Sequence, residues 1–520
     1  MFDMLKTRRS WELVLIDFPW IVYNPPIPWI VDNSPFPGVR FPCLMPGRAF
    51  MYNVPFEQHF GNGGFAKISR TFLDDPSLAF AKVLPAEVIE KTFQKYDGLF
   101  GGKFFNCVFV LWAFLSQVLS DDKHRSCATA VSRIAMFCMA IGKEPPDSDN
   151  GNYCRARQKL SSQALHELVT LVAKNTESIA SPAWLWQDKH HAKLVDGFTS
   201  TMPDTPKNQA KYPQHKKQVS GCGFPIMRVC VVLSLATAMV LDAAFAKYEG
   251  KETGESALLR EMFSAFDSGD IAVFDRYCCS YMMIALFQNR GVHVCTRINA
   301  QRRADFRQGK RLGKYDRLVT WQRPQRPAWM SADQYETIPE TMQLRMIRYS
   351  LTGKGRRSKS ITVVTTLADP KQYSAASIAE LYGHRWNVEL DIRQIKRTLN
   401  MDHFRCKSPE MVERELWTTL LGYNLVRKVM CEAANFCGVL PRRLSFTSTC
   451  AFLMEAWLMW SLFGPPPEIL QHALKYLGSL TVPDRPDRFE PRVIKRRLYR
   501  YPLMKKPRHV LKNIQRINLS

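Results

Sequence analysis

Several things are scarce in this sequence, and each scarcity closes a class of function. The chain of 520 residues has 14 cysteines, yet no two stand as C-x-x-C, so the ligand spacing of zinc ribbons and zinc fingers is missing. Scattered in this way, they read as reduced, buried small hydrophobes rather than a disulfide framework. The longest apolar run, Val229 to Leu241, falls short of the roughly 20 residues that span a bilayer and reads as one or two buried strands. No charged segment followed by an apolar stretch opens the chain. Neither export nor a membrane partner is expected, and the expected location is cytoplasmic. The stretch KETGES (251–256) has a lysine and a glycine but not the phosphate-loop spacing, so no nucleotide cofactor is implied. Acid is in deficit too.

Against 47 Asp+Glu stand 72 Lys+Arg, a formal net charge of +25. Such a balance suits a polyanionic partner. Hydrophobic residues at 46 % are enough for a sizeable core, and the length suits roughly three domains at about 100–200 residues each. Nine of the 32 prolines fall in the first sixty residues, a density that blocks helices and ladders. Residues 1–64 are therefore expected to be a Pro-rich arm. Helical periodicity over 78–96, 104–119, 126–142 and 153–175 predicts a helical N-terminal domain over 65–183, whose short helices and tight loops suit a helix-turn-helix type of DNA-binding domain. Arg155, Arg157 and Lys159 there suit either phosphate contacts or a solvated face. Short β-rich runs at 191–197, 229–241, 269–275 and 292–298, with a helix at 277–291, predict a mixed α/β core over 184–298 and 373–477. Residues 299–372 read as a β-rich insertion subdomain. The basic tail, 478–520, carries twelve Lys+Arg against two acids from Arg485 onward.

The chemistry concentrates in LYGHRWNVELDIRQIKRTLNM (381–401). At about 100° per residue, Tyr382, Arg385, Glu389, Arg393 and Lys396 share one side of a helix beside an apolar stripe. An ion-paired helix surface is the ordinary meaning of such spacing. Two other acids change the balance. Asp196 follows KLV and Asp275 follows IAVF, each within or at the end of a buried strand, where an unpaired carboxylate is costly. Three carboxylates from two strands and a helix form the incomplete oxygen set that Mg²⁺ takes, with phosphate and water supplying the rest. A basic chain with that set reads as a nucleic-acid phosphodiester enzyme.

On these residues the chain resembles bacterial insertion-sequence transposases of the acidic-triad (DDE) class. Tyr382, Arg385, Glu389 and Lys396 match that family's Tyr-x2-Arg-x3-Glu-x6-Lys (YREK) signature at every spacing. VDGFTSTMPDTPKNQAKYPQ (195–214) and GDIAVFDRYCCSY (269–281) resemble its two acid blocks, and the likeness runs from about Phe65 to Arg508. Phe198 stands where a small hydroxyl residue is usual.

The resemblance implies a ribonuclease H-like core with Asp196, Asp275 and Glu389 as the catalytic, Mg²⁺-binding (or Mn²⁺-binding) triad. It implies Tyr382, Arg385 and Lys396 on DNA phosphates, with Arg393 beside them on the same helix side. In such relatives an insertion aromatic stacks on a flipped base during hairpin formation; Trp321 or Trp329 is the candidate, with a core role as the alternative. The implied partner is double-stranded DNA, at transposon terminal inverted repeats and at the target, with a homodimer in the DNA complex. The implied activity is cut-and-paste cleavage and strand transfer. A non-catalytic DNA-binding remnant, or a nuclease that cuts without joining, remains the alternative on sequence alone.

Overall fold

The computed structural model describes residues 84–101, 105–140, 144–350, 360–463, 469–483 and 503–517. The Pro-rich arm and most of the basic tail lie outside the described residues. The described chain opens with helices α1 (Ala86–Lys95), α2 (Cys107–Leu119), α3 (Cys127–Ala140), α4 (Gly151–Arg157) and α5 (Ser162–Glu177). The single helix expected over 153–175 is two. The chain turns at Gln158–Ser161, and the Ser161 hydroxyl caps α5 by accepting the Ala164 N–H at 3.3 Å.

Helix α2 is buried along its whole length, so this module is a packed layer and not a set of independent surface helices. Arg157, one of the cations open to a phosphate reading, is also interior. It donates to Gln117 Oε1 at 3.0 Å and lies over the Phe114 ring at 4.5 Å. A long apolar stem lets arginine serve inside in this way.

The core follows as β1 (Ala192–Thr201), α6 (Pro206–Lys211), β2 (Ile226–Ser234), β3 (Val240–Lys247), α7 (Glu255–Glu261), β4 (Ile271–Phe274), α8 (Tyr281–Asn289) and β5 (His293–Arg297). Then come β6 (Lys310–Gly313), β7 (Asp316–Gln322), α9 (Ala332–Glu336), β8 (Thr341–Ser350) and β9 (Ser360–Thr365). Among the described residues these strands make one nine-stranded sheet in the order β3-β2-β1-β4-β5-β9-β8-β7-β6. β1, β4 and β5 run parallel, and β2 pairs antiparallel with both β1 and β3. That five-strand arrangement is ribonuclease H-like. The strands drawn from residues 299–372 extend this sheet, because β9 pairs antiparallel with β5 through Cys295↔Thr365.

The C-terminal part comprises α10 (Ala375–Gly383), α11 (Trp386–Arg393), a π-turn over Gln394–Thr398, α12 (Pro409–Cys437), α13 (Phe446–Phe463), α14 (Ile469–Ser479) and α15 (Arg508–Ile517). Proline in the first turn and a left-handed Gly438 (φ 65°) bound α12, as helix starts and ends prefer. It packs against α5, α2 and α14, joining the N-terminal helices to the core. Asn424 at its centre is fully engaged. Its Oδ1 accepts from Val240 N at 2.9 Å, and its Nδ2 donates to the carbonyls of Val169 and Val240 at 3.1 and 2.8 Å.

A second internal tie holds α11. Asp391, 1 % exposed, accepts from Arg427 of α12 at 3.0 Å and from Arg442 at 2.9 Å. Removing one partner of a buried ion cluster leaves an uncompensated charge, which costs about 3–5 kcal/mol. Asp391→Ala should accordingly lose stability of about that size in urea unfolding followed by circular dichroism. A loss near that of an ordinary surface substitution would refute this account.

Candidate active site

The site begins with strand register. β1 and β4 are parallel neighbours with Val195 opposite Phe274, so the next residue on each strand, Asp196 and Asp275, comes side by side at the C-terminal end of the sheet. Paired positions on adjacent strands point their side chains the same way, roughly 4.8 Å apart. Asp196 lies mid-strand in β1, and Asp275 directly follows β4. Each carboxylate accepts the next residue's backbone N–H, Gly197 at 2.8 Å and Arg276 at 2.6 Å.

Glu389 comes from α11, which packs on β1. The expected continuous helix over 381–401 is uneven. The chain tightens at His384–Arg385, where Arg385 N–H reaches back only to the Tyr382 carbonyl at 3.1 Å, and it loosens into the π-turn at 394–398. Arg385 sits between two of the acids, donating to Glu389 Oε1 at 2.9 Å and to Asp196 Oδ2 at 3.4 Å. Its guanidinium carbon is 4.7 Å from the centre of the exposed Trp386 ring, and its buried Nε has no partner among the described residues.

Burial pushes the Asp196 carboxyl up to about 6. Gly197 N–H and Arg385 act the other way, while the charges of Glu255 and Glu389 push it further. Tyr382 is buried, which holds its hydroxyl well above the usual range. Lys396 donates to the Thr199 carbonyl of β1 at 2.9 Å, and burial lowers its ammonium. Arg393 is exposed.

The structure thus brings Asp196, Glu389 and Arg385 into direct contact, sets Asp275 beside Asp196, and folds Tyr382 and Lys396 against the same strands. Trp321 lies apart on β7. It is buried, and Arg302 covers its ring at 3.9 Å, the core alternative for that residue. Exposed aromatics near the acids are Tyr277 and Trp386.

As a cation site the donor chemistry fits: the acids offer only hard oxygen donors, and Asp196 is a buried carboxylate that a positive charge would stabilise. Arg385, itself a cation, already bridges two of the three. Among the described residues no three His, Cys, Asp or Glu side chains stand within joint reach of one ion.

Glu255, inside KETGES, carries no sequence signal beyond the lysine and glycine of an incomplete phosphate loop. Asp391 was missed as well. Its only signal is an acid beside an apolar stripe.

A ribonuclease H-like sheet with neighbouring aspartates in β1 and just after β4, beside a helix glutamate, is the arrangement expected from the sequence for the class of nucleic-acid phosphodiester enzymes. Residues 188–425 match the family described as Transposase DDE domain. The chain is 28 % identical over 355 residues to transposase InsG for insertion sequence element IS4 of Escherichia coli (strain K12), covering 67 % of this chain and 77 % of that one. A transposase for insertion sequence element IS421 of Escherichia coli is 29 % identical over 76 residues, 15 % of this chain and 20 % of the relative. Among solved structures, a piggyBac transposase synaptic complex with hairpin DNA aligns with a TM-score of 0.39 and 10 % identity. That alignment covers 81 % of this chain and 88 % of the other. The chain carries a transposase DDE domain over residues 188–425 and is similar to insertion-sequence transposases, which indicates a DNA-cleaving and DNA-transferring enzyme.

A carboxyl whose folded pKa lies above its unfolded value holds its proton longer on the folded chain, so stability falls as pH rises from about 4 to about 6. The cost at pH 7.5 is about 3 kcal/mol. Asp196→Asn should therefore raise the thermal midpoint of the metal-free protein at pH 7.5, with the gain vanishing below about pH 4. A midpoint lowered at both pH values would show that Asp196 stabilises the fold.

Proposed function

We propose that this transposase cuts transposon ends and joins them to target DNA with Asp196, Asp275 and Glu389 as its catalytic carboxylates, holding Mg²⁺ or Mn²⁺. The observation that carries this reading is the Val195↔Phe274 register, which aligns two aspartates under the helix that bears Glu389. A divalent ion held by these oxygens would supply Lewis acidity at the scissile phosphate and lower the pKa of an attacking water or 3′-hydroxyl.

The chain's own residues do the positioning. Arg385 keeps Asp196 and Glu389 together while both are charged, and its unpartnered Nε suits a phosphate oxygen of the strand laid across them. Arg393, exposed on the last turn of α11, serves as a phosphate contact further along that strand. Lys396 and Tyr382 act from the interior, fixing the π-turn and α10 against the sheet edge. Their part in phosphate binding follows once the strand displaces solvent there. The helical N-terminal domain and the basic tail bind the inverted repeats, and two copies of the chain assemble on paired ends.

The test is nicking of end DNA in Mg²⁺ by Asp196→Asn, Asp275→Asn and Glu389→Gln, each checked for folding. Each should lose about two orders of magnitude or more in rate; cleavage retained in all three would overturn the triad. Arg393→Ala should leave the cleavage chemistry in place and reduce the salt slope of DNA binding by about one. An unchanged slope would remove Arg393 from the phosphate contacts.

A further inference from the structure

The row of residues that carries the strand acids does not stop at them. Phe274 of β4 pairs with Thr296 of β5, so Arg297, the next residue, stands in the row of Asp275. Arg297 pairs with Val363, Val363 with Ile347, Ile347 with Asp316 and Asp316 with Gly313. The row thus crosses β9, β8 and β7 and ends at the turn between β6 and β7, Lys314 and Tyr315. The acids and this turn share one edge of the sheet, with β6 the fifth strand beyond β4. At about 4.8 Å per strand the separation is at most about 24 Å, since the twist of the sheet shortens it.

The far end of that edge is strongly basic. Residues 299–326 hold nine Lys+Arg against two acids, and both acids are engaged, Asp305 with Arg307 at 3.0 Å and Asp316 with the buried Arg345 at 2.6 Å. Lys310, Arg311 and Lys314 are exposed, and among the described residues none of them has an acid partner. The turn that presents them is braced. Arg348 N–H donates to the Tyr315 carbonyl at 2.9 Å, and the Phe306 and Tyr315 rings meet edge to face at 6.1 Å. Arg317 donates to the carbonyls of Phe306 and Gly313 at 2.7 and 3.0 Å. Unpaired cations on a fixed turn, with a half-exposed Tyr315 beside them, suit a polyanion with regularly spaced charge. An edge strand also carries charge to block pairing with another sheet, but that role does not call for a turn in the row of the acids.

We propose that this edge is a track for the duplex being cut, its backbone running from the acids to the β6–β7 turn, where Lys310, Arg311 and Lys314 contact phosphates about five to seven base pairs from the scissile one. This rests on the transposase reading above and adds to it a duplex-holding surface within residues 299–372. A grip at that distance fixes the axis of the duplex, so the strand crosses the acids at one angle.

The experiment is binding of the full-length protein to end DNA in EDTA across a salt series, with hydroxyl-radical footprinting of the same complexes. Binding without metal is read apart from the chemistry of the triad. Thermal melts and size-exclusion chromatography establish that each variant is folded and disperse. The triple variant Lys310→Gln, Arg311→Gln, Lys314→Gln should reduce the salt slope by about three and lose protection about five to seven base pairs from the cleavage site. Lys314→Gln alone, on the turn, should reduce the slope by about one. Asp196→Asn should keep both the slope and the protection.

An unchanged slope in both charge variants, with cleavage lost in Asp196→Asn, would overturn the track and leave the triad standing. A reduced slope beside cleavage retained in all three carboxylate variants would overturn the triad and leave the track. Slope and footprint unchanged while joining to target DNA is lost would place these cations on the target duplex and overturn their assignment to the cut one. Aggregation of the triple variant, with the slope of its soluble fraction unchanged, would make them guards of the edge strand and overturn the track as well.

Discussion

One pairing governs the candidate site: β1 lies parallel to β4 with Val195 against Phe274. Because side chains alternate along a strand, a slip of one residue would send Asp196 to the opposite face and separate it from Asp275. The apolar residues around both acids guard that register. Leu194, Val195, Val273 and Phe274 are all buried, so the pairing that places the two acids also buries the apolar residues before them. Stability of the hydrophobic sheet and alignment of the two aspartates are thus a single constraint.

The gathered acids then pose an electrostatic problem that the helices answer. Like charges at close range in a partly dry site repel strongly, and here burial, with the neighbouring acids adding to it, raises the carboxyls of Asp196 and Glu255. Arg385 offsets part of it by touching two acids at once. That arginine is held in place by its helix, and the helix is held by Asp391 between Arg427 and Arg442. The ion cluster two residues beyond Glu389 fixes the direction from which Glu389 meets the sheet. Its two guanidinium partners belong to α12 and to the turn after it, so the outer helices set the geometry at the acids.

Much of this was legible in the sequence, and the reasons for the gaps are physical. Apolar runs rich in valine ending in an acid announced β1 and β4, and local hydrophobic periodicity found the helices. What stayed hidden was non-local or depended on exact backbone phase. The pairing of β9 with β5 joins residues about seventy apart, and nothing in LRMIRYSL or SITVVTTLA names a partner strand. A uniform helical wheel over 381–401 could not foresee the tightening at Arg385 or the π-turn before Leu399, which together re-aim Lys396 onto the Thr199 carbonyl. Trp321 and Arg157 look like surface recognition residues in composition, but their long apolar surfaces are buried. Glu255 gave no sign because its closeness to β1 depends on the missing side chain at Gly197.

The continuity of the sheet has a mechanical consequence. β6 to β9 are hydrogen-bonded edge to edge onto β5, and β5 carries Thr296, whose hydroxyl reaches the Asp275 carbonyl at 3.4 Å. A hydrogen-bonded sheet is stiff in its own plane and twists as a unit. A displacement of β6 would therefore reach the strand end beside Asp275 only through β7, β8, β9 and β5. The outer strands are thus joined, without a break in the sheet, to the strand end beside Asp275.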